Sequence, residues 1–201
     1  MTKKNPNKYL VSGEEHEVLP NKLGLTDLKD VGREEFKGFI LAQEHFIDQL
    51  GDNSRFNLKY LHDIHKRALG HLYSFAGKLR TVNMSKGGFI FPSALFLPTA
   101  MDDFEKEMLP PFSAKYKDEK QFVKDLSAMH AELVYLHPFR EGNGRTIRLF
   151  TNLIALKHYG VEIDFPWIME NKGEDYIKAV QQATSKEYSL MERLISEAFK
   201  L

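Results

Sequence analysis

Apolar residues recur at helical spacing along most of this chain. Phe122, Leu126, Met129, Leu133 and Leu136 follow one another at intervals of 4, 3, 4 and 3, which describes a helix with one buried stripe. Pro138 ends that helix, because proline lacks the N–H donor and crowds the preceding turn. Ile147, Phe150, Leu153 and Ile154 then resume the stripe, so a second helix starts near Asn143. Helical patterns also cover residues 31–50, 57–71, 94–109, 118–136, 143–158 and 172–200, the last broken near Thr184 and Ser185. One strand signal stands out. Residues 81–84 and 89–91 flank Ser85-Lys86-Gly87-Gly88, the pattern of a β-hairpin. The fold class expected is all-α, a compact helical bundle carrying one small hairpin.

Composition narrows the class without choosing a function. With 201 residues, a single domain over 1–201 is the default, and 42% apolar with 28% charged residues is an ordinary globular mix. Pro110-Pro111 is flanked by apolar residues and reads as a turn inside that domain. The absence of cysteine excludes a disulfide framework and thiol catalysis, and fits a reducing, cytoplasmic setting. Met1 to Leu10 is polar, so no signal peptide is expected, and no apolar run approaches the ~20 residues of a membrane span. A formal net charge of zero argues against a broad nucleic-acid footprint.

The chemistry concentrates in residues 137–148, His-Pro-Phe-Arg-Glu-Gly-Asn-Gly-Arg-Thr-Ile-Arg. Gly142 and Gly144 permit unusual torsions and close approach of an anion to backbone N–H groups, and the helix start adds donors and partial positive charge. Arg145 and Arg148, three apart, can clamp a polyphosphate. Glu141 is a hard oxygen ligand suited to Mg²⁺. His137 can accept a proton from an attacking hydroxyl near neutral pH. A tightly capped helix start would account for Pro138, the glycines and Asn143, but not for the charged set converging on one turn.

This segment resembles the Fic motif, His-x-Phe-x-(Asp/Glu)-Gly-Asn-Gly-Arg-x-x-Arg, at every defining position. The likeness continues in residues 21–27, 75–80 and 80–92, and covers roughly residues 20–185. It implies transfer of AMP from ATP to a Tyr, Thr or Ser hydroxyl of a target protein. By that resemblance, His137 deprotonates the hydroxyl, Phe139 anchors the loop and Glu141 binds Mg²⁺. Asn143 contacts the α-phosphate, Gly142 to Gly144 form the anion hole, and Arg145 and Arg148 hold the outer phosphates. Gly144 favours adenylyl over phosphoryl transfer, since a kinase-like subgroup carries lysine there.

The hairpin looks like the flap of that family, which pins a target segment beside the histidine. Lys86, Gly87 and Gly88 would form its turn, and Phe89, Ile90 and Phe91 would clamp a target side chain. An unpaired strand edge is suited to such capture. Many Fic proteins carry an inhibitory (Ser/Thr)-x-x-x-Glu-(Gly/Asn) helix whose glutamate pairs with the second motif arginine. Here only Glu141 and Glu170 precede Gly or Asn, and Pro166 stands four before Glu170. The expectation is a separate antitoxin-like inhibitor, with this chain the toxin of the pair. Tyr176 is a candidate for the adenine pocket. Transfer of another nucleotide or phosphate-bearing group, and a silent partner-binding module, stay open as alternatives. His62, His65 and His130 lack a third ligand at metal spacing, while His45, His71 and His158 read as surface or partly packed, and Trp167 as core.

Overall fold

The computed structural model describes residues 18–199; the polar stretch at residues 1–10 lies outside them. Eight α-helices follow in order among the described residues: α1 (Leu28–Asp48), α2 (Leu58–Leu69), α3 (Leu97–Met108), α4 (Glu119–Leu136), α5 (Asn143–Tyr159), α6 (Phe165–Asn171), α7 (Gly173–Gln182) and α8 (Ser189–Ala198). The hairpin β1 (Ser85–Lys86) and β2 (Phe89–Ile90) lies between α2 and α3. No described helix is long and apolar enough to cross a membrane.

Side chains cap the starts of α1, α2 and α4. Asp27 accepts from the N–H groups of Lys29 and Asp30, Asn57 from that of Tyr60, and Asp118 from that of Lys120. Each satisfies donors that a helix N-terminus leaves open. The predicted helix over 94–109 begins instead as a 3₁₀ turn, Ala94–Phe96, because Pro98 favours the first turn of a new helix. The predicted 172–200 helix is broken by a 3₁₀ turn at Ala183–Ser185, where Lys186 takes a left-handed φ of 55°. The short α6 has no counterpart in the sequence reading. Trp167, expected in the core, is only partly buried on that helix.

α4 runs through the middle, packed by α3, α5, α7 and α8. Phe122, Leu126, Met129, Leu133 and Leu136 are all buried, as are Ile147, Phe150, Leu153 and Ile154 of α5. A second apolar cluster joins Val31, Phe39 and Ala42 of α1 to Ala68 and Leu69 of α2 and to Leu72 and Tyr73 beyond it. The loop from α4 to α5 therefore emerges between two packed blocks, and α1 borders it.

The hairpin is shorter than the sequence implies. Ser85 pairs with Ile90 and Lys86 with Phe89 around Gly87 and Gly88, whose φ values are 56° and 83°. Two successive positive φ values suit a tight two-residue turn. One further bond, from Phe91 N–H to Met84 O at 3.1 Å, extends the pairing, and buried Arg80 and Met84 anchor that arm to the body. Arg80 donates from Nε to His137 O at 2.8 Å, from Nη1 to Val82 O at 2.8 Å and from Nη2 to Pro92 O at 2.6 Å.

Candidate active site

The turn out of α4 delivers the histidine. His137 caps that helix with φ 51°, a left-handed conformation uncommon for a side chain with a Cβ and a recurrent feature of functional sites. Its Nδ1–H donates to Val134 O at 3.0 Å, so Nε2 carries the basic lone pair. The Phe91 ring stacks on the imidazole at 3.9 Å between centroids. Burial, reinforced by the nearby positive charges of Arg80 and Lys86, pushes the imidazole down to about 3.

The loop after it is braced from inside. Asn143 is fully buried; its Oδ1 accepts from Phe139 N–H and its Nδ2 donates to Phe139 O, both at 2.7 Å. The sequence reading gave this side chain to the α-phosphate; instead it closes the loop on itself. The N–H groups at the start of α5 are the kind of open donors that suit an anion. Among the described residues no side chain caps α5. Gly142 has φ 73°, and a Cβ there would stand 2.7 Å from Leu69 Cδ1. Phe139 is the expected anchor, wholly buried and stacked on His65 at 3.9 Å.

His65 was left without a role by the sequence, and the structure gives it one. Gly77 N–H donates to its Nδ1 at 2.7 Å, so its Nε2–H donates to Glu141 O at 2.9 Å. Burial lowers it to about 4, which keeps it neutral and fixes that tautomer. His62 donates to Gly77 O at 2.8 Å and abuts Phe139 edge-on. These bonds span residues 62–77 and 139–141, a separation no local pattern encodes.

The charged groups divide into two sets. Arg145 Nη2 donates to Glu35 Oε2 at 2.7 Å and stands 3.7 Å from Glu141 Oε1. Glu35, on α1, was not singled out in the sequence. The Arg148 guanidinium lies over Gly144, and its charge reaches the Tyr176 hydroxyl. Tyr176 was expected in an adenine pocket; it is instead buried beneath Arg148, its hydroxyl donating to His130 Nε2 at 2.8 Å. His130 in turn donates from Nδ1 to Thr151 Oγ1 at 2.7 Å, and Thr151 donates to Ile147 O. With 5% of its surface exposed, Tyr176 serves here to support Arg148 and His130.

Glu141 is half-buried, with Oε1 accepting from Gly142 N–H at 2.8 Å, and burial raises its carboxyl. No group of three His, Cys, Asp or Glu able to hold a metal exists among the described residues. A single carboxylate beside a phosphate cradle fits Mg²⁺, which takes one or two carboxylates and completes its shell with phosphates and water.

The flap residues also separate. Ile90 is 75% exposed, Phe89 is half-buried against Phe91 and Tyr135, and Phe91 is buried on His137. Alternation along a strand sends neighbours to opposite faces, so Phe91 shields the histidine and is not a clamp for a target. Lys86 is half-buried, its charge felt by both His137 and Glu141.

Comparison with known proteins places the chain in a family. Protein adenylyltransferase VbhT from Bartonella schoenbuchensis is 29% identical over 148 residues, 74% of this chain and 30% of that protein. Protein adenylyltransferase Fic from Drosophila willistoni is 26% identical over 149 residues, 74% of this chain and 29% of that protein. The chain thus spans less than a third of the length of these relatives. The fold matches the N-terminal Fic domain of a Bep effector from Bartonella sp. AR 15-3, with TM-score 0.78 and 21% identity over 92% of this chain and 89% of that one. It also matches BepC from Bartonella tribocorum with bound AMPPNP, with TM-score 0.73 and 20% identity over 93% and 94%. The Fic/DOC family model matches residues 55–155, half of the sequence, so the chain belongs to the Fic/DOC family.

Proposed function

We propose that this chain transfers AMP from ATP to a hydroxyl side chain of a protein. The observation that carries the reading is the placement of His137. Its Nδ1–H is committed to Val134 O, which leaves Nε2 as the proton acceptor at the uncapped start of α5. The hydroxyl oxygen attacks the α-phosphorus, its proton passes to Nε2, and the bond to the leaving pyrophosphate breaks. The N–H groups opening α5 meet the α-phosphate, and Arg148 meets the outer phosphates; such transfer depends on positioning and charge stabilisation. Glu141 would hold Mg²⁺, which neutralises phosphate charge. The adenylyltransferase names of VbhT and of Drosophila Fic support the choice of AMP.

The exposed edge of the flap, with Lys86, Gly87, Gly88 and Ile90 at its tip, would pair with the target segment beside His137. A chain that uses ATP with Mg²⁺ works where both are present, in this reading a cytoplasm, its own or that of another cell. A separate antitoxin-like inhibitor would act by bringing a carboxylate to Arg148, since the chain's own Glu35 is on Arg145.

The test uses purified protein, Mg²⁺, a bacterial lysate, and ATP labelled at the α- or the γ-phosphate. Label from the α-position only, lost in His137→Ala, is the expected result. Label from the γ-position, or an undiminished His137→Ala, would overturn the reading.

A further inference from the structure

Glu35 reaches the motif from α1 and spends both its oxygens there. Oε1 accepts from Tyr73 OH at 2.7 Å and Oε2 from Arg145 Nη2 at 2.7 Å. Phe39, one turn further along α1, lies under the same guanidinium, 4.8 Å from ring centroid to Cζ. Carboxylate and ring hold the fork of Arg145 from two sides, and the phenol holds the carboxylate. A planar guanidinium so held loses little further freedom and has its charge answered inside the protein.

The held guanidinium stands 3.7 Å from Glu141 Oε1. That separation is beyond a hydrogen bond but well within strong electrostatic reach. Glu35 and Glu141 are neighbouring carboxylates that would otherwise repel each other, and Arg145 lies between them. At this distance the guanidinium offsets the repulsion between the two carboxylates without occupying a Glu141 oxygen. A polyphosphate that took the Nη2 donor of Arg145 would first have to displace Glu35.

We propose that Glu35, backed by Tyr73, is the mount for Arg145, and that Arg145 is a positioning residue for the cation-binding carboxylate of Glu141. Arg148 is then the arginine that meets the polyphosphate. The inference rests on the nucleotide-transfer reading, in which Glu141 holds Mg²⁺. Groups that orient a metal ligand commonly matter ~10–100-fold in metal affinity or activity. When Glu35 loses its charge, the guanidinium turns to Glu141 and competes with the cation.

The experiment measures ATP binding by calorimetry across a Mg²⁺ series, with and without the cation, and AMP transfer over the same series. It compares wild type with Glu35→Gln, Tyr73→Phe and Arg148→Ala. In Glu35→Gln, which keeps the shape of the side chain, the Mg²⁺ needed for half-maximal binding and transfer rises about tenfold. Affinity for ATP without Mg²⁺ stays within about twofold, and saturating Mg²⁺ restores the rate, which a partly unfolded protein would not do. Tyr73→Phe shifts the same curve by about threefold, because one of the two supports of Glu35 remains. Arg148→Ala weakens ATP binding with and without Mg²⁺.

An unchanged Mg²⁺ curve in Glu35→Gln overturns the proposal. So does tighter binding of Mg²⁺-free ATP, which would show Arg145 released onto the phosphates. If wild type transfers AMP and only the Mg²⁺ shift is missing, this inference alone falls. If wild type transfers no AMP but the Mg²⁺-dependent binding shifts as described, the inference stands and the adenylyl reading falls.

Discussion

The guanidinium of Arg148 occupies the space that a side chain at Gly144 would need. A Cβ at Gly144 would stand 3.0 Å from Arg148 Nη1 and 3.7 Å from Cζ. The second glycine of the motif therefore serves as a seat for the arginine. The obstruction is the end of a flexible side chain, so the protein can yield there by moving Arg148.

Gly144→Ala is expected to leave stability within about 1 kcal/mol of wild type, since alanine suits a helix and Arg148 can swing aside. Transfer should fall about tenfold, equivalent to about 1.4 kcal/mol at the barrier. Gly142→Ala offers the contrast. Its φ of 73° and the 2.7 Å approach to Leu69 Cδ1 leave no room, and a loss of about 2–4 kcal/mol is expected. Chemical denaturation of both variants beside AMP-transfer rates checks the pair. Equal destabilisation of the two would contradict it.

Asn143 holds the loop by two buried bonds to the main chain of Phe139. Asn143→Ala leaves that N–H and C=O without their partner, with an expected cost of about 2–4 kcal/mol. Asn143→Asp should fare little better, because a carboxylate cannot donate to Phe139 O. A melting temperature equal to wild type in either variant would show that the loop has another brace.

The ring of Phe91 covers His137, and on the proposed reading the burial of the imidazole governs the acid limb of transfer. The buried imidazole stays neutral down to about pH 3, far below an ordinary histidine. The profile of kcat/KM in wild type should show no inflection near the ordinary value of about 6.5. Phe91→Ala lets water reach the ring, and an acid limb should then move upward toward that value. A wild-type inflection near 6.5 would mean that His137 is solvated in the working enzyme.

Three buried histidines make the fold sensitive to acid. His65 is lowered to about 4, and His130 and His137 to about 3, chiefly by burial. Their folded values lie below the unfolded value of about 6.5, so the unfolded chain binds more protons under mild acid. Stability is fully present above that value and falls as pH drops through it toward the folded values. Each histidine contributes a slope of up to about 1.4 kcal/mol per pH unit in that window. Urea titrations between pH 7 and 5 should follow this fall, and His130→Gln should reduce its slope. A flat stability over that range would place the imidazoles in contact with water.

The sequence carried the parts that depend on neighbours along the chain. The stripes of α4 and α5, the proline stop and the two-glycine hairpin turn are all local signals. Glu35 and Tyr73 went unmarked, and His65 and Arg80 received no role, because those roles come from partners 38 to 110 residues away. Asn143 and Tyr176 were misplaced for a related reason. Their residue types suit ligands as well as cores, and only burial decides between the two. Phe91 belongs with them, since a shift of one position along the strand separates an exposed Ile90 from a ring on His137.

Arg80 ties Val82 and Pro92, the two stems of the flap, to the His137 carbonyl through one guanidinium. The stems thereby travel with the catalytic loop, whereas the tip at residues 86–90 projects beyond that anchor. Selection can then rewrite the tip while the chemistry stays put. On the proposed reading, a lineage of such enzymes could acquire new clients by exchanging a handful of residues, with the general base and phosphate cradle inherited unaltered.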